Sequence, residues 1–228
     1  MKMGNIELEN YKLISLDKIP STMDWAHDLI VKGEATNKTV ITATAQTAGR
    51  GRYRRSWVSH TGNLYVSFIF KIAERDPRLS YAVGVAVAET LLHFGLYPKI
   101  KWPNDVLVDG KKISGSLIEY AQNFVIVGIG INIKTCPTVK EYETTKMNNY
   151  TKVTIAEVLS VLIKKIDKWR NVDFVVVRDR WMELAMGINK FIKYHGESVE
   201  LIGLNDDGAL VLRRGSQYIL TYGDEISI

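Results

Sequence analysis

The segment FVIVGIGINI, residues 124–133, constrains the fold most: it is almost unbrokenly apolar, β-branched and short. Such a run reads as a buried central strand, which needs partner strands on either side. TVITATA (39–45) and NLYVSFIFKI (63–72) have the β-branched and aromatic content to be partners, and a short strand is expected around Tyr11 to Leu16. VLVDGKKISGSLIEY adds a hairpin through Asp109-Gly110, after a turn at Pro103 and Asn104.

Helices interrupt this pattern. Ser21, with Asp24 three residues on, opens a stretch in which Trp25, Ala26, Leu29 and Ile30 recur at helical spacing, with Gly33 as the stop. Residues 76–95 read as a long, largely buried helix with Pro77 in its first turn and Gly95 past its end. Thr154 and Glu157 form a capping box for a helix whose apolar face includes Val158, Leu162 and Ile166, and a second helix runs from about Phe174 to Met186. After Gly187 come short strands with turn signals at Asn205 to Gly208, Arg214-Gly215 and Gly223-Asp224. The expected fold is α+β, a mixed and mainly antiparallel sheet flanked by helices over residues 1–186, with a small β-barrel over 187–228.

With 46% hydrophobic residues in 228, the chain has material for a sizeable core, and its net charge of +5 favours anionic partners without choosing among them. Cys136 is the only cysteine, which excludes an intramolecular disulfide and a thiolate metal cluster and suits a reducing, cytoplasmic setting. No segment has the uninterrupted apolar length of a membrane span. His27, His60, His93 and His195 lack metal-ligand spacing and read as surface or satisfied structural residues.

Three motifs could carry chemistry. GRGRYRRSW (49–57) lies between two strands. Gly49 and Gly51 allow close backbone approach to an anion, Arg50 and Arg52 offer forked donors, and Trp57 offers a stacking face. A solvated basic hairpin with a core tryptophan fits the same residues. KWPND (101–105) places Lys101 before a rigid Trp-Pro turn, where its ammonium can be aimed; an exposed lysine beside a packed tryptophan is the plainer alternative. In GIGIN (128–132) Ile133 stands where a dinucleotide fingerprint needs its third glycine, so the Rossmann reading fails. A strand whose small residues let a flat ligand lie on the backbone fits better, with Asn132 able to read a base edge; a bulged core strand is the alternative.

The order GRGRxxRxW, KWPND, KxxGxLxE and GxGxN, after an ST at a helix start, resembles biotin–protein ligase across roughly residues 10 to 135. That resemblance implies a sheet like that of class II aminoacyl-tRNA synthetases, with an SH3-like C-terminal barrel. It implies activation of biotin by Mg²⁺-ATP to biotinyl-5′-AMP, then transfer to a lysine of a biotin carboxyl carrier domain. By family match Ser21, Thr22, Gln46, Gly49, Arg50, Gly51, Lys101 and Gly115 form the biotin site, and Arg52, Trp57, Asn104 and Asn132 the nucleotide site, with Lys101, Arg50 and Arg52 catalytic and no residue assigned to the metal. Arg54 stands where the family's loop has glycine, so the last turn of the loop should adopt a conformation that side chains tolerate. Twenty residues before Ser21 are too few for the DNA-binding domain of bifunctional relatives, so no specific DNA binding is expected, and a homodimer is. A lipoate-type ligase and a nucleic-acid-binding module are the rival readings; the latter leaves the GIGIN strand unexplained.

Overall fold

In the computed structural model, which describes residues 10–222 and 226, the apolar run is the strand that organises the sheet. The chain order is β1 (Lys12–Ile19), α1 (Thr22–Val31), β2 (Thr39–Gln46), β3 (Leu64–Lys71), α2 (Leu79–His93), β4 (Pro98–Lys101), β5 (Asp105–Val108), β6 (Lys111–Ala121) and β7 (Phe124–Ile131). Helices α3 (Ile155–Trp169) and α4 (Phe174–Leu184) follow, then β8 (Lys190–Tyr194), β9 (Glu197–Leu204), β10 (Leu210–Arg214) and β11 (Gln217–Thr221). The first seven strands form one sheet in the order β1-β2-β3-β7-β6-β5-β4, with β1 parallel to β2 and every other pair antiparallel.

Strand alternation explains why β7 is apolar throughout. Val125, Val127, Ile129 and Ile131 point into the larger core, which α2, α3 and α4 cover, while Ile126 points to the opposite face and packs with Met23, Ala26 and Ile30 of α1. Gly128 shares that second face because α1 leaves no room: a Cβ there would sit 2.6 Å from the Met23 sulfur. Both faces being dry, polar alternation is absent.

The expected punctuation holds where a side chain makes it. Ser21 caps α1, Thr154 and Glu157 complete the capping box of α3, and Asp109 and Gly110 turn the β5–β6 hairpin at φ 51° and 75°. Two details differ. Helix α2 begins at Leu79, so Pro77 lies ahead of its first turn, where its carbonyl accepts from the Ser80 amide. Asp24 does not complete a capping box at Ser21 but turns to Arg50, 2.9 Å away.

After Gly187, β8 to β11 form a separate antiparallel sheet in the order β11-β10-β9-β8, as expected of a small SH3-like barrel. Turns at Asn205 to Gly208 and at Gly215 appear as expected, whereas Gly223-Asp224 lies outside the described residues. The two sheets share one core: Ile192, Val199, Leu201 and Leu212 belong to the same buried cluster as Val85 and Ile100. Among the described residues no helix is long and apolar enough to cross a membrane.

Candidate active site

The ends of β2, β4, β6 and β7 and the start of α1 surround a cleft of about 460 Å³, within the range of small-molecule sites. Most residues singled out by sequence line it. Ser21, Thr22 and Gln46 stand at one end, Arg50, Gly51, Arg52 and Trp57 along the loop wall, and Lys101, Asn104 and Gly115 on the wall made by β4 to β6. Two do not. Gly49 lies behind the loop, and Asn132 opens onto an adjoining cavity of about 270 Å³ that shares Trp57 and Lys112 with the cleft.

The polar end is internally wired. Gln46 Oε1 accepts from the Thr22 amide at 2.8 Å and its hydroxyl at 3.2 Å, Gln46 Nε2 donates to Ser59 Oγ at 2.8 Å, and Ser67 Oγ donates to Thr22 Oγ1 at 2.8 Å. Ser21 Oγ accepts from the Met23 and Asp24 amides. A buried set of hydroxyls and one amide at a helix N-terminus suits a compact polar group with both donors and acceptors.

Lys101 is the cation of the opposite wall. Among the described residues its ammonium has no hydrogen-bond or ion-pair partner. Its backbone is fixed. The Met186 amide donates to the Ile100 carbonyl at 2.8 Å, and Trp102, 5% exposed, packs 5.6 Å from the Tyr81 ring and 6.4 Å from Trp181. Trp102-Pro103 is a cis peptide. Asn104 is less available than expected, because its Nδ2 donates to the Ser116 carbonyl at 2.7 Å.

Arg50 is also engaged. Its Nη1 and Nη2 lie 2.7 and 3.0 Å from the two oxygens of Glu119, and its Nε lies 2.9 Å from Asp24. The Glu119 hydrogen bond leads in raising the Arg50 pKa. Burial pushes the Glu119 carboxyl up, but hydrogen bonds and charge from Arg50 and His27 outweigh it and hold it below the usual carboxylate range. Arg50 therefore serves here as an anchor of the loop, leaving Arg52 and Arg55 to face the cleft. Sequence reasoning assigned Glu119, His27 and Asp24 no place at this site. Glu119 was within reach, since Gly115, Leu117 and Glu119 alternate onto one face of β6.

The flat group on the GIGIN backbone is the protein's own Trp57. A Cβ on Gly130 would lie 2.5 Å from the indole and one on Gly115 3.1 Å, so both glycines seat the ring. Trp57 Nε1 and Asn132 Oδ1 are buried with no hydrogen-bond partner, while Asn132 Nδ2 donates to the Thr145 carbonyl at 3.1 Å. Lys112 sits at the junction of the two cavities, its ammonium 2.7 Å from Asp105 and over the rings of Trp57 and Tyr142 at 5.4 and 4.9 Å. Tyr142 had no signal in sequence, lying in a stretch without periodicity.

At the loop tip Arg54 stands in a conformation that a side chain tolerates only at a cost. Tyr53 and Arg54 have φ of 53° and 59°, so the turn stays left-handed and side chains bear it. Each such residue costs roughly 1–2 kcal/mol. Arg54→Gly is expected to leave stability equal or raise it by up to about 1 kcal/mol once glycine's greater unfolded-state freedom is counted. Arg54→Val, β-branched at positive φ, should lower it; urea unfolding midpoints of the two variants check the order.

Comparison with known proteins agrees with this geometry. A biotin–[acetyl-CoA-carboxylase] ligase of Mycobacterium tuberculosis is 27% identical over 92% of this chain and 88% of its own. The bifunctional ligase/repressor BirA of Bacillus subtilis is 29% identical over 97% of this chain and 75% of its own. The biotin protein ligase of Aquifex aeolicus, solved in complex with biotin and ATP, superposes with a TM-score of 0.82 at 27% identity, covering 95% of this chain and 97% of that one. The sequence profile of the Biotin/lipoate A/B protein ligase family matches residues 15–135, more than half of the chain. With its motifs gathered around one cleft of the matching fold, the chain belongs to the biotin/lipoate A/B protein ligase family.

Proposed function

We propose that the protein is a biotin–protein ligase, which joins biotin to ATP as biotinyl-5′-AMP with release of pyrophosphate and then acylates a lysine of a carboxylase's biotin carrier domain. The observation that carries this reading is the Lys101 ammonium, which lines, with no partner among the described residues, a cleft that has a polar slot at one end and a tryptophan platform on its wall. Relatives named as biotin ligases over most of the chain support it.

A carboxylate and an α-phosphate repel by about 1 kcal/mol at contact in water and ~4 kcal/mol at an effective dielectric near 20. Lys101 removes that barrier by standing between them, and in the second step it neutralises the departing AMP. Ser21, Thr22 and Gln46 bind the ureido head of biotin, a compact group that both donates and accepts. Trp57 stacks on the purine, and Asn132 Oδ1, buried and lacking a donor, accepts from the exocyclic amine. Among the described residues no group of three His, Cys, Asp or Glu is placed to hold a metal. Mg²⁺ carried on the triphosphate of the substrate would need few protein ligands and would neutralise the pyrophosphate leaving group. The arginine loop closes over the adenylate, Arg52 holds phosphate oxygens, and water is kept from the anhydride. Arg52→Gly is expected to raise escape of the adenylate into solution at least severalfold, read as biotin-AMP released in the absence of carrier.

Residues 1–186 form the catalytic unit and 187–228 the SH3-like unit. The outer edge of β1, which has no neighbouring strand among the described residues, supports pairing of two copies. Incubating the purified protein with Mg²⁺-ATP, a biotin carrier domain and either biotin or lipoate tests the reading. Biotin on the carrier by streptavidin blot is the expected result; modification by lipoate alone, or by neither acid, overturns it.

A further inference from the structure

We propose that His27 is a positioning residue for the arginine loop: it holds the Glu119 carboxylate with both oxygens toward Arg50, and so pins the loop's base to the rim of the cleft. His27 and Asp24 lie one turn apart on α1 and share a face. His27 Nε2 is 2.7 Å from Glu119 Oε2, the oxygen that Arg50 Nη2 reaches at 3.0 Å, while Arg50 Nη1 takes Oε1 at 2.7 Å. Asp24 forms an ion pair with the same guanidinium, 2.9 Å from Nε, by charge and proximity rather than by a well-aligned hydrogen bond. Two carboxylates from different elements thus grip one arginine, and His27 is the only other group in contact with the Glu119 carboxylate among the described residues.

An ionised carboxylate only accepts, so Nε2 carries the hydrogen in this contact. The terminal torsion of a glutamate is broad, with no staggered well to fix it. The third donor fixes it, in the plane that a bidentate guanidinium needs.

On the loop side, Trp57 donates from its amide to the Gly49 carbonyl at 2.8 Å and Gly51 to Arg55 at 2.7 Å, closing the base. Arg50 lies between these bonds. With the base closed and anchored, the segment left to order over a bound anion is the short tip from Gly51 to Ser56, where Tyr53 is 61% exposed. Fixing a handful of residues costs far less conformational entropy than fixing the whole β2–β3 connection. His27 therefore acts through Glu119 and Arg50 on how readily the lid closes, and in that respect the inference rests on the ligase reading.

Trypsin reads the loop without any catalysis, since Arg52, Arg54 and Arg55 are its own cleavage points. His27→Ala, His27→Gln, Glu119→Ala and the His27→Ala/Glu119→Ala double variant are compared in the full chain. His27→Ala is expected to speed nicking in the loop severalfold with an unchanged urea midpoint. In biotin-dependent pyrophosphate exchange it should raise KM for biotin severalfold at unchanged kcat. Glutamine, which keeps an N–H for Glu119, should return both measures to within about twofold of the parent. In the Glu119→Ala background the His27 change should add nothing. Parental nicking in His27→Ala, a fall in its unfolding midpoint that accounts for the nicking, no rescue by glutamine, or additive effects in the double variant would each overturn the proposal. Absence of exchange in the parent with the nicking order intact would sink the ligase reading and leave the latch standing.

Discussion

Lys101→Ala is expected to reduce biotin-dependent ATP–pyrophosphate exchange by at least 10²- to 10³-fold, about the loss seen when a single preorganised charge-stabilising group is removed from an active site. The reason is positional. Two other cations of the cleft, Arg50 with its two carboxylates and Lys112 with Asp105, cannot swing across to replace it without breaking those pairs, and Arg52 and Arg55 stand on the loop wall opposite. Lys101→Arg should not restore the rate, because a planar fork on a longer stem cannot occupy the point between a carboxylate and a phosphate where one ammonium fits. Fold should survive both changes, since the strand end is held by Trp102 and by the bond from Met186 to Ile100 rather than by the lysine side chain. Exchange at the parental rate in the alanine variant would remove Lys101 from the chemistry.

Gly130→Ala should have the second largest effect, and on the nucleotide rather than on biotin. Its methyl group would stand 2.5 Å from the Trp57 indole, inside any real carbon–carbon contact. The ring must leave its seat on β7, and overpacking of this kind costs roughly 1–3 kcal/mol of stability. Loss of the stacking platform, worth about 1–3 kcal/mol for a base on an aromatic ring, should raise KM for ATP by one to two orders of magnitude. Affinity for biotin, measured calorimetrically without nucleotide, should change far less, because Gln46 reaches Trp57 only through the Ser59 hydroxyl and the Trp57 carbonyl, which stays in place when the ring moves. Equal losses for both ligands would mean that the glycine supports the whole sheet instead of the ring. Gly128→Ala, on the same face, meets the Met23 side chain at 2.6 Å, a flexible thioether that can turn aside where an indole cannot, and should be milder.

How much of this was legible in sequence depended on how local the cause was. The central strand, the Asp109-Gly110 turn and the capping box of α3 are each set by residues adjacent in the chain, and each lies where expected. The gathering of Ser21, Gln46, Lys101 and Gly115 around one cleft was legible only through the order of motifs, because nothing in any one motif states which strand ends meet. Contacts between elements were invisible. The His27–Glu119 bond joins residues 92 apart in the chain, and neither carries a pattern pointing to the other. The glycines of GIGIN were read as room for a ligand because period and size reveal that a flat group must fit, and not whose it is. Arg54 in place of the family's glycine says that a side chain is borne at the loop tip, and not that it and Tyr53 are both left-handed there.

Tyr81 donates its hydroxyl to the Gly208 carbonyl at 2.6 Å while its ring rests on Trp102, the residue that follows Lys101. The β9–β10 turn is therefore a buttress for the far bank of the active site. A shortened protein ending at Met186 would keep every motif and lose the hydroxyl bond that holds Tyr81 against Trp102.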